Sequence, residues 1–358
     1  GSRSVAIGQA ALFAQNFTTA TDAYNVAMGY AAGGAVTTGV KNTLIGGLAA
    51  DSLTTGERNV YVGYTSGDRG TTGDFNTGVG AETLFTNVAA NKNTAVGEAA
   101  LFSMTAATST DTLNTGVGYF AGGSITSGIR NTLLGGEAGD ALTDADDNVV
   151  IGMGALSADV LGSGSVAIGK GALALQNFTT ATTSYNVAVG LDAGNSVTTG
   201  TKNTIIGGLA GDAITSAEGN TTVGYLSLSA ETQGKGSVAF GYHALRQQNI
   251  TSDSFAFNTA VGYSAGDAVT TATNNTLIGG LAGDALTSGS LNTAVGYAAL
   301  SGDTLGVYNV AVGVNALLTQ NFTTSTFSYN TAVGAEAGKS VTTGSGNTLI
   351  GGLAGDAL

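Results

Sequence analysis

The chain has 358 residues, 58 of them glycine, with no proline, cysteine or tryptophan, a single histidine (His243), and a formal net charge of −13. That charge argues against nucleic acid, which needs a basic surface, and against an anionic membrane surface. The missing cysteines leave no disulfide framework or thiolate metal site, and no apolar run reaches the ~18 residues of a membrane-spanning helix.

One five-residue word recurs along the chain: Asn or Ser, then Val or Thr, any residue, an apolar residue, and Gly. It begins at Ser4, Asn25, Asn42, Asn59, Asn76 and Asn93, and continues to Asn347, twenty copies with spacings of 17 or 21 residues only. From Asn93 onward the order 21, 17, 17, 17 repeats as a 72-residue unit. Residues 1–358 therefore read as one continuous array, with blocks at 4–92 (carrying one additional rung, 76–92), 93–164, 165–236, 237–308 and a truncated 309–358. Such a period is the signature of a solenoid.

Taking the Asn or Ser as position 1, strands are expected at 5–7, 26–28, 43–45 and so on through each word. Alternating β-branched residues predict positions 2 and 4 on a buried face. Position 3, most often Ala, then faces outward, flat enough to pack against copies of the chain. An apolar residue at position 12 in many rungs, such as Val36, Leu53 or Leu286, suggests a second short strand after a Gly turn. Stacked rungs would place the position 1 asparagines in an amide ladder, and the position 5 glycines where φ is positive or backbones approach closely. At about 4.8 Å per rung, twenty rungs make a rod of roughly 95 Å. A rung this thin favours a homotrimer around the long axis, the alternative being a monomeric solenoid with wider coils.

"SVAIGQAALFA" (4–14) and "SVAIGKGALAL" (165–175) resemble the head repeats of YadA-like trimeric autotransporter adhesins, and "NTAVGYSAGDAVTTATNNTLIGGLAGDAL" (258–286) resembles the repeat shafts of phage tail fibres and tail spikes. The resemblance covers the whole chain. It implies an all-β, left-handed parallel β-roll (β-solenoid), intertwined or side by side in a homotrimer. It further implies a non-enzymatic, extracellular role as a fibre shaft or adhesive head, on a virion or a bacterial surface. The adhesin heads have shorter rungs than these, and the chain reads as a window from a longer fibre. A monomeric ice- or glycan-binding solenoid is the third reading, motivated by the recurring "TTG" and "TTAT" threonines.

Isolated motifs are weighed against the period. "GGLAGD" (279–284) echoes a calcium nonapeptide, but it recurs with the 72-residue period on a 17-residue coil and reads as scaffold. "GYSAG" (262–266) matches a nucleophile elbow at Ser264, yet four sibling rungs lack the Ser. "GAEAGKS" (334–340) is one residue short of a phosphate loop. His243 has no metal-ligating company, and "DADDN" (144–148) reads as a solvated loop, with calcium at Asp144–Asp147 as the alternative. No catalytic residue, cofactor or metal is expected, and no nucleic acid or membrane insertion.

The 21-residue rungs carry "QNFTTATDAY" (15–24), "QNFTTATTSY" (176–185), "QNITSDSFAF" (248–257) and "QNFTTSTFSY" (320–329), with "MTAATSTDTL" (104–113) as the outlier. Their aromatics, Phe17, Tyr24, Phe178, Tyr185, Phe255, Phe257, Phe322 and Tyr329, are either contacts for a host-surface glycan or receptor, or braces against a neighbouring subunit. Asn16, Asn177, Asn249 and Asn321 head Asn-x-Thr/Ser sequons.

Overall fold

The computed structural model describes residues 1–106 and 108–358 and divides into two compact units, Gly1–Ser184 and Tyr185–Leu358. Each is a parallel β-solenoid, and no helix occurs among the described residues. Ten three-residue strands stack in the first unit, from Val5–Ile7 to Val166–Ile168, and ten in the second, from Val187–Val189 to Thr348–Ile350. Every word expected as a strand is one. Like positions pair with like: Val5 with Val26, Ala6 with Ala27 and Ile7 with Met28 in the first unit, and Thr276 with Thr293 through Ile278 with Val295 in the second.

Position 5 ends each strand and admits only glycine. Gly29 has φ +141°, and a Cβ built there would lie 2.3 Å from the Gly46 carbonyl oxygen one rung on. Both reasons for a glycine therefore apply to the same residue.

The expected inside and outside of the strand are reversed. The middle residue is the buried one: Ala27, Leu44, Tyr61, Val150 and Ala260 are all inside, whereas Val26 is half-buried and Met28 exposed on either side of Ala27. Position 3 Ala thus packs within its own coil and offers nothing to a second chain. The cause is the thinness of the coil, whose interior holds one or two large side chains per rung. Small residues line it, and the β-branched residues cover the outside of the sheet.

A trade between positions 9 and 12 fills that interior. Where position 9 is Gly, position 12 supplies the bulk: Gly33 with Val36, Gly139 with Leu142, Gly283 with Leu286. Where position 9 is Leu, position 12 turns polar in all but the Leu101 rung, which has Met104: Leu84 with Asn87, Leu156 with Asp159, Leu300 with Asp303. Tyr61 fills its rung alone, and a Cβ at Gly67 or Gly78 would lie 2.6 or 2.9 Å from its ring.

The second strand expected near position 12 is replaced by overlapping turns. Gly34 N–H donates to Ala31 O (3.0 Å) and Val36 N–H to Gly33 O (3.1 Å), while Gly33 and Ala35 donate to the next rung at Ala49 and Asp51 (both 2.9 Å). The alternation puts positions 7 and 9 in the left-handed region, as at Ala31 (φ 52°), Gly33 (φ 58°) and Leu84 (φ 51°). An L-residue there costs about 1–2 kcal/mol, which full burial of a leucine side chain, about 1.5–3 kcal/mol, offsets.

The asparagine ladder forms inside the coil. Asn42 Nδ2 donates to Gly56 O across its own rung (2.9 Å), while Asn42 N–H is received by Asn25 Oδ1 (2.9 Å). The same geometry recurs at Asn275 and Asn292 in the second unit. These amides satisfy backbone groups that a narrow coil cannot pair by sheet bonds alone.

Candidate functional site

The features that break the 17-residue rhythm are the four-residue excursions. Their return strands pair with the rung before: Ala90–Asn91 with Thr110–Asp111, Gly162–Ser163 with Thr182–Thr183, and Gly306–Val307 with Thr326–Phe327. Isolated bridges do the same at Ser2 with Asp22 and Lys235 with Phe255.

Opening an excursion strips backbone donors of their partners. In an ordinary rung the position 15 N–H reaches the next rung's position 13 carbonyl, as Gly39 does to Thr54 (3.2 Å). Ahead of an excursion a fully buried acid replaces that carbonyl. Asp303 Oδ1 receives Gly306 N–H (3.0 Å) and Phe322 N–H (3.1 Å), and Oδ2 receives Gln320 Nε2 (2.6 Å). Asp159 does the same with Gly162, Phe178 and Gln176, and Glu231 with Gly234, Ile250 and Gln248. Burial pushes the Asp159 carboxyl above the usual carboxylate range, opposed by its hydrogen bonds to Phe178, Gln176 and backbone N–H groups. Asn87 holds the corresponding place ahead of the excursion at 104–113, accepting from Ala90 N–H (2.9 Å) and donating to Ala90 O (3.1 Å). There the residue one rung on is buried Met104 in place of Gln.

These clamps escaped the motif reading because none belongs to a known motif. Their trace in the sequence is an acid at position 12, three residues before Gly and 17 before Gln.

The loop aromatics separate into two sets. Phe178 and Phe322 are buried in their own unit, each at 6% exposure, and Ile250 takes the same place. They brace their own coil. Phe17, in the first rung, is half-buried. Tyr24, Tyr185, Phe255, Phe257 and Tyr329 are exposed. Phe255 and Phe257 stack at 4.8 Å with planes within 6°, and Tyr329 lies 5.2 Å from Tyr308 and 6.3 Å from Phe327. Arg3 caps the Tyr24 ring at 5.5 Å.

Other motif residues sit on the scaffold. Ser264 (φ 49°) and His243 (φ 58°) occupy position 7, as do Ala31, Phe120, Asp192 and Glu336 in sibling rungs. The His243 ring stacks on Tyr242 at 3.8 Å. In the acidic run, Asp144 receives Ser127 Oγ (2.8 Å), Asp146 the Ile129 N–H (2.8 Å), and Asp147 the Arg130 guanidinium (2.6 and 2.7 Å). No group of three acids or histidines suited to a metal gathers among the described residues. The position 13 threonines direct their hydroxyls along the coil, Thr54 Oγ1 donating to Thr71 O (2.9 Å) and Thr71 Oγ1 to Val88 O (3.1 Å).

No protein-family model and no curated protein matches the chain.

Proposed function

We propose that the chain is a non-enzymatic segment of an extracellular fibre, the shaft or adhesive part of a phage tail fibre engaged in host attachment. In this reading it is a left-handed β-roll of 17- and 21-residue rungs that works as a homotrimer. One observation carries the reading: the outward position 4 of the sheet is apolar along a whole unit. At position 4, Ile206, Val223, Phe240, Val261, Ile278 and Val295 stack in register, with Phe240 53% exposed. A solitary soluble chain seldom leaves so long an apolar strip to water. A second and third copy, laid against the same strip, would cover it with the same residues.

The partner-facing positions are therefore 2 and 4. Replacing Ile206 and Ile278 with Lys should leave each coil intact and desolvate two charges at the contact, at a cost of several kcal/mol. Sedimentation equilibrium should show a species of three chain masses for the wild type and loss of it in the variant. A wild-type chain that stays monomeric at micromolar concentration would overturn the trimer.

A further inference from the structure

We propose that the outward rings of the last two excursions are stacking platforms for an uncharged saccharide: Phe255 with Phe257, and Tyr308 with Phe327 and Tyr329. In each platform two rings come from residues two apart in one short segment and stand together, Phe255 and Phe257 at 4.8 Å and Phe327 and Tyr329 at 6.3 Å. In the last platform Tyr308 adds a third ring from the rung before. All five rings are exposed, Phe327 the most at 64%.

The fold does not need aromatics at these positions. In the first two excursions ion pairs stand where Tyr308 and Phe327 stand in the last, Arg3 with Asp22 and Lys92 with Asp111, on the same pattern of backbone pairing, while the place of Phe257 and Tyr329 holds Tyr24 and Leu113. At the places of Phe255, Tyr308 and Phe327 the scaffold accepts charge or aromatic alike, so those rings are not explained by packing. Bracing is done from the opposite side of the loop, by buried Phe322 and Ile250.

The surroundings of the last platform point to the ligand class. From 304 to 335 the chain carries no Asp, Glu, Lys, Arg or His, while Thr323, Thr324 and Ser325 are exposed beside the rings. A cationic peptide would find no carboxylate there, and a phosphate or sulfate polymer would meet a chain of net charge −13. A neutral pyranose has what the site lacks: an apolar C–H face to lie on the rings and hydroxyls to meet the Thr and Ser groups. Flat apolar surface with a few placed polar groups is the usual composition of a small-ligand site. The two platforms lie 72 residues, or four rungs, apart, about 19 Å at the inter-strand spacing, so one extended polymer could reach both.

The test is calorimetric titration of the full chain with neutral oligosaccharides of glucose, galactose and N-acetylglucosamine, with tyrosine fluorescence as a second readout. Saturable binding to at least one is expected. Phe327→Ser with Tyr329→Ser should weaken it by about tenfold, as loss of two ring contacts of 0.5–1.5 kcal/mol each implies, leaving melting and sedimentation unchanged. Absence of saturable binding to every probe would overturn the proposal, as would an affinity unchanged by the double replacement. A change in sedimenting mass would also overturn it, by showing that another copy covers the rings. The fibre reading uses strand positions 2 and 4 instead, so the two proposals fail separately.

Discussion

Replacing Asp303 with Asn changes one atom of a buried clamp and should be costly for a reason that can be traced donor by donor. Asp303 Oδ1 holds two backbone N–H groups, so an Asn keeping those bonds turns its Nδ2 toward Gln320 Nε2, which the carboxylate met at 2.6 Å. Gln320 cannot simply flip, because its Oε1 already receives Asn330 Nδ2 at 2.8 Å. Two buried donors then face each other, each orphan costing about 1–3 kcal/mol. Gln320→Met alone should also destabilise, by leaving Asp303 Oδ2 a buried charge without its donor, about 3–5 kcal/mol. The two changes together recreate the Asn87–Met104 pair of the first unit, and Asn330 keeps its bond to Gly344 O (2.6 Å). The double variant should therefore be more stable than either single, with a favourable coupling of about 0.5–3 kcal/mol. Urea unfolding supplies the cycle, and hydrogen exchange at the Phe322 amide reads the clamp locally. Additive losses in the double variant would refute the donor-conflict argument.

Gly279→Ala should destabilise far more than Gly280→Ala in thermal melting. A Cβ at Gly279 meets the Gly296 carbonyl at 2.4 Å with φ +133°, while at Gly280 nothing lies nearer than 3.6 Å. Asp284→Asn should raise the melting temperature at neutral pH: Asp284 Oδ1 is buried without a partner, and burial, then the Asp267 charge, holds its carboxyl above the usual range. A carboxyl raised on folding takes up its proton more readily in the folded state, so wild-type stability falls as pH rises through that window. The gain from Asn should shrink as pH falls toward the ordinary carboxylate range, and a pH-independent gain would count against it. The excursion carrying Ala106 where others carry Phe178 or Phe322 lacks a buried brace, so hydrogen exchange around Met104 should be faster than around Phe178. Equal protection would contradict the bracing role.

The sequence by itself determined the period, the strand words, the position 5 glycines and the asparagine ladder. Each is dictated by what stacking does to identical residues: the glycine because a Cβ would strike the next rung's carbonyl, the asparagine because its amide spans one rung and reaches the next. Which face of the strand is inside was decided only by the tertiary structure. Val26-Ala27-Met28 alternates either way, and inward valines are the ordinary choice for a thick core. The coil takes a single inward residue from each strand, the middle one, so Ala27 turns in with Val26 and Met28 outside, and Val36 from position 12 fills the space left by Gly33. The clamps were hidden for a related reason. Asp159, Glu231 and Asp303 look like surface charges until the excursions, 17 to 19 residues on in the chain and one rung away in space, bring stranded backbone donors to their carboxylates. Likewise the aromatics of the loops read as equals in the sequence. Only the path of the chain sends Phe322 into the coil and Phe327 and Tyr329 out to solvent.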